Sequence, residues 1–89
     1  MRELFLQTVE LADQSGAPRR FDYSILIGEM DVGMYACESY GVKVAEQGGE
    51  EACVPNVTCS AARIDELSGL LVRNGVTPAA LRDVVSDWL

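Results

Sequence analysis

The sequence predicts a two-layer α+β domain, in which an antiparallel meander sheet of three to four strands is followed by two C-terminal helices packed on one face. The main observation is a change of period. Up to Thr58 the apolar residues recur at every second position, as in strands, and beyond it they recur at helical spacing. With 89 residues and no linker-like segment, we expect a single domain, 1–89, divided into a β-meander (1–58) and a helical pair (59–89).

The first predicted strand, residues 3–11, carries apolar side chains on both of its faces. Leu4 and Leu6 alternate onto one face, whereas Phe5 and Val9 alternate onto the other. Because two helices cover only one side of a sheet, part of this surface is expected to stay exposed. Exposed apolar surface is typical of an interface, so these four residues are the candidate interface.

The second and third predicted strands differ in regularity. Residues 21–27 alternate clearly, whereas residues 34–46 are long for one strand. Gly41, in the middle of the longer segment, predicts a bulge or a bend. Glu38 falls on the apolar face of this strand, which leaves two interpretations. Either a bend near Gly41 turns it to solvent, or it is buried against a partner such as Arg63 or a tyrosine hydroxyl.

A turn at residues 29–33 separates those two strands, and a fourth strand is predicted at residues 51–57, after a Gly-Gly turn. Pro55 has no N–H to donate to a neighbouring strand, so the fourth strand lies on an edge of the sheet or ends there. The connections are all short, which is why the predicted order is a meander.

Two amphipathic helices are predicted to follow. Ser60 or Thr58 can cap the first helix, and Gly75 is a suitable left-handed residue to end it. Thr77 as N-cap and Pro78 at the first helical position predict that the second helix begins at once.

Trp88 lies at helical spacing from Leu81 and Val85. This spacing favours a core anchor over an exposed recognition residue. Removal of residues 85–89 is therefore predicted to unfold the domain.

Charge and composition exclude several classes of function. The chain has 7 Lys+Arg against 14 Asp+Glu, a formal net charge of −7. Nucleic acid and anionic membranes are not expected as partners, because both require a basic surface. No apolar run is long enough to cross a bilayer and the N-terminus does not resemble a signal peptide, so a cytoplasmic location is predicted.

The sequence has three cysteines, Cys37, Cys53 and Cys59, and no histidine. This set is too small for a four-ligand zinc site and offers no histidine base for a catalytic thiol. We interpret the cysteines as small buried hydrophobic residues and predict no disulfide, no metal and no cofactor. No nucleophile, base and orienting group can be assembled, so no catalytic residue is assigned and an enzyme is not expected.

Two segments carry a resemblance to a known family: Tyr40-Gly41-Val42-Lys43-Val44, and the capped tail with Thr77-Pro78, Leu81, Asp83-Val84-Val85 and Asp87-Trp88-Leu89. The chain resembles a family of short bacterial proteins described only as a domain of unknown function. The resemblance covers most of the chain from Tyr23 onward. It implies a self-standing bacterial cytoplasmic protein and carries no catalytic residues.

Because an enzyme, a metal protein, a nucleic-acid binder and a membrane binder are not expected, the sequence favours a non-enzymatic protein-interaction module. Its simplest partner is a second copy of itself, in a homodimer. An alternative is an acidic decoy that inhibits a basic protein groove, which requires clustered carboxylates. In sequence the carboxylates cluster only at Glu46, Glu50 and Glu51. A small enzyme without a recognisable motif is the remaining alternative.

Overall fold

The computed structural model describes residues 2–89. Four strands, β1 (Arg2–Ala12), β2 (Pro18–Val32), β3 (Tyr35–Glu46) and β4 (Glu51–Thr58), are followed by α1 (Ala61–Arg73), a 3-10 helix (Pro78–Ala80) and α2 (Leu81–Trp88). Each strand pairs antiparallel with its neighbour in the order β1-β2-β3-β4. Both helices contact the sheet. The predicted α+β meander with two C-terminal helices is confirmed.

One side of the sheet, which we call the helix face, builds the core with the two helices. Its side chains alternate along β2 and β3, as the period of two predicted, and pack against the apolar stripes of α1 and α2. The buried core consists of Phe21, Tyr23, Ile25, Val42, Val44, Ile64, Leu67, Leu71, Val76, Leu81 and Val85. We call the opposite side, which carries Ser24, Leu26 and Lys43, the open face.

A bulge in β1 changes which of its side chains share a face. The pairing with β2 shifts between Phe5 and Gln7, so Leu6 is an extra residue in the ladder. The shift places Leu4 on the same face as Val9 and leaves Phe5 on the open face. The predicted separation of Leu4 from Val9 is therefore wrong, because an inserted residue inverts the alternation beyond it.

The reversal between β2 and β3 is tighter than predicted. β2 continues to Val32 and β3 begins at Tyr35, so only Gly33 and Met34 form the turn, with Gly33 at φ +65°. The turn predicted at residues 29–33 is wrong, because strand pairing continues through that segment. The resulting β2–β3 hairpin is long. The molecule as a whole is elongated and measures 54 × 23 × 18 Å along its principal axes.

Ser24 and Leu26 on the open face are buried although they point away from the helices. Ser24 opposes Lys43, and Leu26 opposes Glu3. The ammonium of Lys43 lies 2.9 Å from a carboxylate oxygen of Glu3, so this ion pair spans from β3 to β1 across the intervening strand. The aliphatic part of Lys43 thus helps to shield Ser24 and Leu26 from water.

β4 bulges where it passes Gly41. The register shifts there, so that residues 55–57 of β4 oppose this single residue of β3. A Cβ atom on Gly41 would meet the carbonyl oxygen of Val54 and would lie 2.6 Å from the Cα of Pro55. The bulge predicted at Gly41 is confirmed, and its cause is the close approach of two backbones. β4 is an edge strand, as Pro55 predicted.

Both ends of α1 carry the predicted signals. The Ser60 hydroxyl accepts a hydrogen bond from the N–H of Arg63 at 3.2 Å. Gly75 adopts φ +56° after the last turn, and the N–H of Val76 bonds to the carbonyl of Leu71 at 3.0 Å. The left-handed termination at Gly75 is confirmed.

The second helix begins differently from the prediction. Pro78 is the first residue of the 3-10 helix, and Thr77 before it makes no side-chain capping hydrogen bond. The backbone instead closes this turn, because the N–H of Ala80 bonds to the carbonyl of Thr77 at 3.1 Å. Thr77 at the N-cap and Pro78 at the first helical position are therefore confirmed for the 3-10 helix, but the cap has no side-chain hydrogen bond and α2 starts only at Leu81.

Trp88 packs at the C-terminal end of the core. It is partly buried against the core cluster, and the guanidinium of Arg63 lies 4.2 Å from the centre of its ring. This position supports the core-anchor interpretation of Trp88.

Tyr23 makes a buried hydrogen bond whose loss can be measured. Its hydroxyl donates to the carbonyl oxygen of Val76 at 2.9 Å, and burial raises the pKa of the phenol. We expect Tyr23→Phe to lower the free energy of unfolding by about 1–2 kcal/mol at neutral pH, because the Val76 carbonyl loses its buried donor. Urea denaturation of both proteins measures the difference.

The difference in stability between Tyr23→Phe and the wild type should also depend on pH. A phenol whose pKa is raised on folding stabilises the folded state below its unfolded pKa of about 10, and that stability is lost as the pH rises through the folded pKa. Tyr23→Phe lacks this titration, so the difference in free energy of unfolding between the two proteins should become smaller at alkaline pH. A difference that stays constant with pH would contradict the role of the Tyr23 hydroxyl as a buried hydrogen-bond donor.

Candidate functional site

The two edge strands of the sheet are protected to different degrees. β4 contacts α2, and its outer row of hydrogen-bonding groups is interrupted by Pro55 and by the bulge beside Gly41. β1 contains no proline, and residues 2–8 are exposed along their whole length. β1 is therefore the accessible edge of the sheet.

The apolar side chains of this edge form what we call the β1 surface: Leu4, Phe5 and Leu6. Their exposed fractions are 51%, 58% and 36%. Leu4 lies on the helix face and Phe5 on the open face, so apolar groups flank the edge from both sides. Val9, the fourth candidate, is partly buried and packs against the core, and we leave it out of this surface.

A shallow groove lies between the β1 surface and α1. It has a volume of about 550 Å³ and is lined by Leu6, Gln7, Asp65, Glu66, Ser68, Gly69, Val72 and Arg73. Small-molecule sites are usually enclosed and mostly apolar. The mixed lining of this groove lacks that character.

The acidic cluster predicted around the β3–β4 turn is partly neutralised by basic side chains. The guanidinium of Arg19 makes two hydrogen bonds to the Glu46 carboxylate, at 2.7 and 2.6 Å. This contact lowers the pKa of Glu46. Glu51 lies 3.6 Å from the ammonium of Lys43. The negative charge available at this turn is therefore smaller than the sequence indicates.

The prediction that the three cysteines are buried is wrong. Cys53 and Cys59 are exposed and Cys37 is half-buried, because β4 is an edge strand and Cys59 follows its end. Burial, and then hydrogen bonding and charge interaction with the Cys59 thiol, raise the pKa of Cys37. The strand register, in which Thr58 opposes Tyr40, also brings the two cysteines near each other. Their distance along the sequence gave no sign of this, since only the register of β3 and β4 joins them.

Glu38 is exposed, although the pairing of β3 with β2 continues past Gly41 without a shift, so it is not a bend that turns it to solvent. Its carboxylate accepts a hydrogen bond from the Tyr40 hydroxyl at 3.1 Å and lies 3.5 Å from the guanidinium of Arg2. The hydrogen bond to Glu38 raises the pKa of Tyr40. Glu38 is thus a surface carboxylate, and not a buried group held by Arg63.

Within residues 2–89, no group of three or more Asp, Glu, Cys or His side chains is arranged to hold a metal ion. In the same part of the chain, no helix has the length and apolar character needed to cross a membrane. The chemistry that the described residues offer is an apolar strand edge and a pair of adjacent thiols.

These features define a class of protein: a small α+β domain with a four-stranded meander, two helices on one face and one accessible sheet edge. Residues 2–89 match the model of DUF6514, a family of unknown function, and the chain belongs to that family. No curated protein and no solved structure matches the chain. The resemblance to a domain of unknown function is confirmed, and the bacterial origin that it implied stays a prediction.

Proposed function

We propose that this protein is a non-enzymatic, cytoplasmic protein-interaction module that forms a homodimer through the β1 surface. The observation that carries the proposal is the exposure of Leu4, Phe5 and Leu6 on the accessible edge strand. An edge strand presents a row of backbone N–H and C=O groups that can pair with another strand.

The distribution of the apolar groups favours addition of a strand over docking onto a face. A strand added beside β1 would contact Leu4 on the helix face and Phe5 on the open face. Contacts from both faces supplement the backbone hydrogen bonds, which by themselves carry little specificity.

A second copy of β1 is the occupant with the matching pattern. Two β1 strands related by a two-fold axis pair antiparallel, and each brings the same apolar groups to both faces. Two-fold homodimers of this isologous type are the commonest oligomers. The net charge of −7 per chain is spread over turns and helix surfaces, and residues 4–9 of β1 carry no acidic side chain.

We expect Phe5→Glu to weaken self-association at least about tenfold, because it removes buried apolar area and buries a charge beside the edge. The fold should be retained, since Phe5 is largely exposed in one chain. Light scattering coupled to size exclusion over a concentration series measures the effect. The wild-type mass should approach twice the 9.7 kDa of one chain.

Met34→Glu is the matched control, because Met34 is an exposed apolar residue in the β2–β3 turn, away from β1. It should dimerise like the wild type. A wild-type protein that stays monomeric at high micromolar concentration would contradict self-association. Equal weakening by both substitutions would exclude β1 as the contact.

The acidic-decoy alternative receives less support, because Arg19 and Lys43 contact two of its three carboxylates. It predicts binding to a basic protein that weakens with salt. The β1 contact is apolar and predicts little dependence on salt, so a salt series distinguishes the two functions.

A further inference from the structure

Strand pairing brings Cys37 and Cys59 to one place on the sheet. Thr58, the last residue of β4, opposes Tyr40, so Cys59, the first residue beyond the strand, follows in register toward Ser39. Side chains alternate along a strand, and Cys37 therefore shares a face with Ser39, two positions away. The interaction of the Cys59 thiol with that of Cys37 agrees with this register.

Both thiols are accessible, and neither belongs to the core. Cys59 is exposed and Cys37 is half-buried. The third cysteine, Cys53, opposes Lys43, which is six residues along β3 from Cys37 and roughly 20 Å away. A disulfide requires Cα atoms within about 7 Å of each other, so Cys53 cannot bridge to Cys37 in the folded domain. Diagonal neighbours on paired strands, as Cys37 and Cys59 are, lie about 7–8 Å apart, so a disulfide between them needs a small backbone shift at Cys59, just beyond the end of β4.

We propose that Cys37 and Cys59 form a reversible disulfide by exchange with a low-molecular-weight disulfide such as oxidised glutathione. The pair would then be a redox-sensitive modification site of the folded domain. This inference is independent of the proposed dimer, because the thiols lie on β3 and after β4 and not on β1.

The reaction balances without any further reactant. The thiolate of the more exposed Cys59 attacks one sulfur of the small disulfide, breaks its S–S bond and expels one thiolate. The Cys37 thiol then loses its proton, attacks the Cys59 sulfur of the mixed disulfide and expels the second thiolate. Two protein thiols are oxidised, one small disulfide is reduced to two thiols, and the two protons end on those products.

The bond would join two parts of the fold that are otherwise held by strand pairing. Cys37 lies near the start of β3, in the long hairpin, and Cys59 immediately precedes Ser60, the N-cap of α1. The closed loop 37–59 contains the whole of β4. Restricting the unfolded chain in this way should raise the melting temperature by roughly 10 °C or more.

Cys53→Ser provides the protein for the test, because Cys53 and Cys59 otherwise fall in one tryptic peptide, 44–63, while Cys37 falls in 21–43. The reduced variant is incubated with a buffer of oxidised and reduced glutathione, alkylated, digested and analysed by mass spectrometry. We expect a cross-link between 21–43 and 44–63 as the main product, reversed by dithiothreitol. The oxidised form should melt at the higher temperature.

Cys59→Ser is the matched control, since it leaves Cys37 and Cys53 and thus also two thiols. We expect at least about tenfold less intramolecular disulfide in it, because folded geometry separates its thiols. Equal yields in the two variants would overturn the proposal. The proposal would also be overturned if Cys53→Ser gave mainly mixed disulfides with glutathione or disulfides between two chains. Circular dichroism checks that both variants are folded.

Discussion

Gly41→Ala is expected to unfold the domain or to cost at least about 3 kcal/mol of stability. A Cβ atom at this position would meet the backbone of Val54 and Pro55, and neither can move as a flexible side chain can. A domain of this size has a total stability of only about 5–13 kcal/mol. The β3–β4 pairing would have to open to accept the methyl group.

Urea denaturation followed by circular dichroism measures this effect, and Gly69→Ala is its matched control. Gly69 lies within α1, where an added Cβ would only approach the end of the Arg73 side chain, at 3.4 Å. Alanine is favoured over glycine inside a helix by about 0.5–1 kcal/mol. Gly69→Ala should therefore be neutral or stabilising. Equal stability of Gly41→Ala and the wild type would show that the bulge accommodates a side chain.

Deletion of residues 85–89 is expected to leave no cooperative melting transition. The deletion removes Val85, which is buried in the core, and Trp88, which packs against it. Burial of two such side chains contributes about 1.5–3 kcal/mol each. It also shortens α2 to four residues, fewer than a stable helix needs.

The matched control for this deletion removes Leu89 alone. Leu89 is exposed and follows the last residue of α2, so its loss should leave the thermal transition within a few degrees of the wild type. Near-ultraviolet circular dichroism of the single tryptophan, Trp88, reports on its packing. An unchanged melting curve for the chain that lacks residues 85–89 would refute the role of Trp88 as an anchor.

The parts of the fold that could be predicted depend on local signals. Alternation in β2, the proline of β4 and the Ser60 and Gly75 helix ends are each encoded within a few residues, and each is found in the structure. Gly41 was predictable because a glycine inside a strand pattern is costly unless another backbone comes close.

The parts that could not be predicted depend on neighbouring strands. The bulge at Leu6 exists only in relation to the register of β2, and without it the faces of β1 cannot be assigned. Leu26 is buried because Lys43 and Glu3 meet across β2, which no local period indicates.

The candidate site divides in the same way. The apolar groups on both faces of β1 were visible in the sequence, and Leu4, Phe5 and Leu6 are exposed. The thiol pair could not be found in the sequence, because only the register between β3 and β4 brings Cys37 and Cys59 near each other. Their burial was predicted from residue type, which carries no information on which strand lies at an edge.

The difference between the two sheet edges would limit the size of the proposed assembly. Strand addition extends a sheet without end when both outer strands accept a neighbour, and this is how filaments grow. In this domain Pro55 and the bulge block β4, while β1 remains open. A pair formed through β1 would expose only its two blocked strands. Polymerisation would therefore stop at two chains, even at concentrations that would convert a two-edged sheet into fibrils.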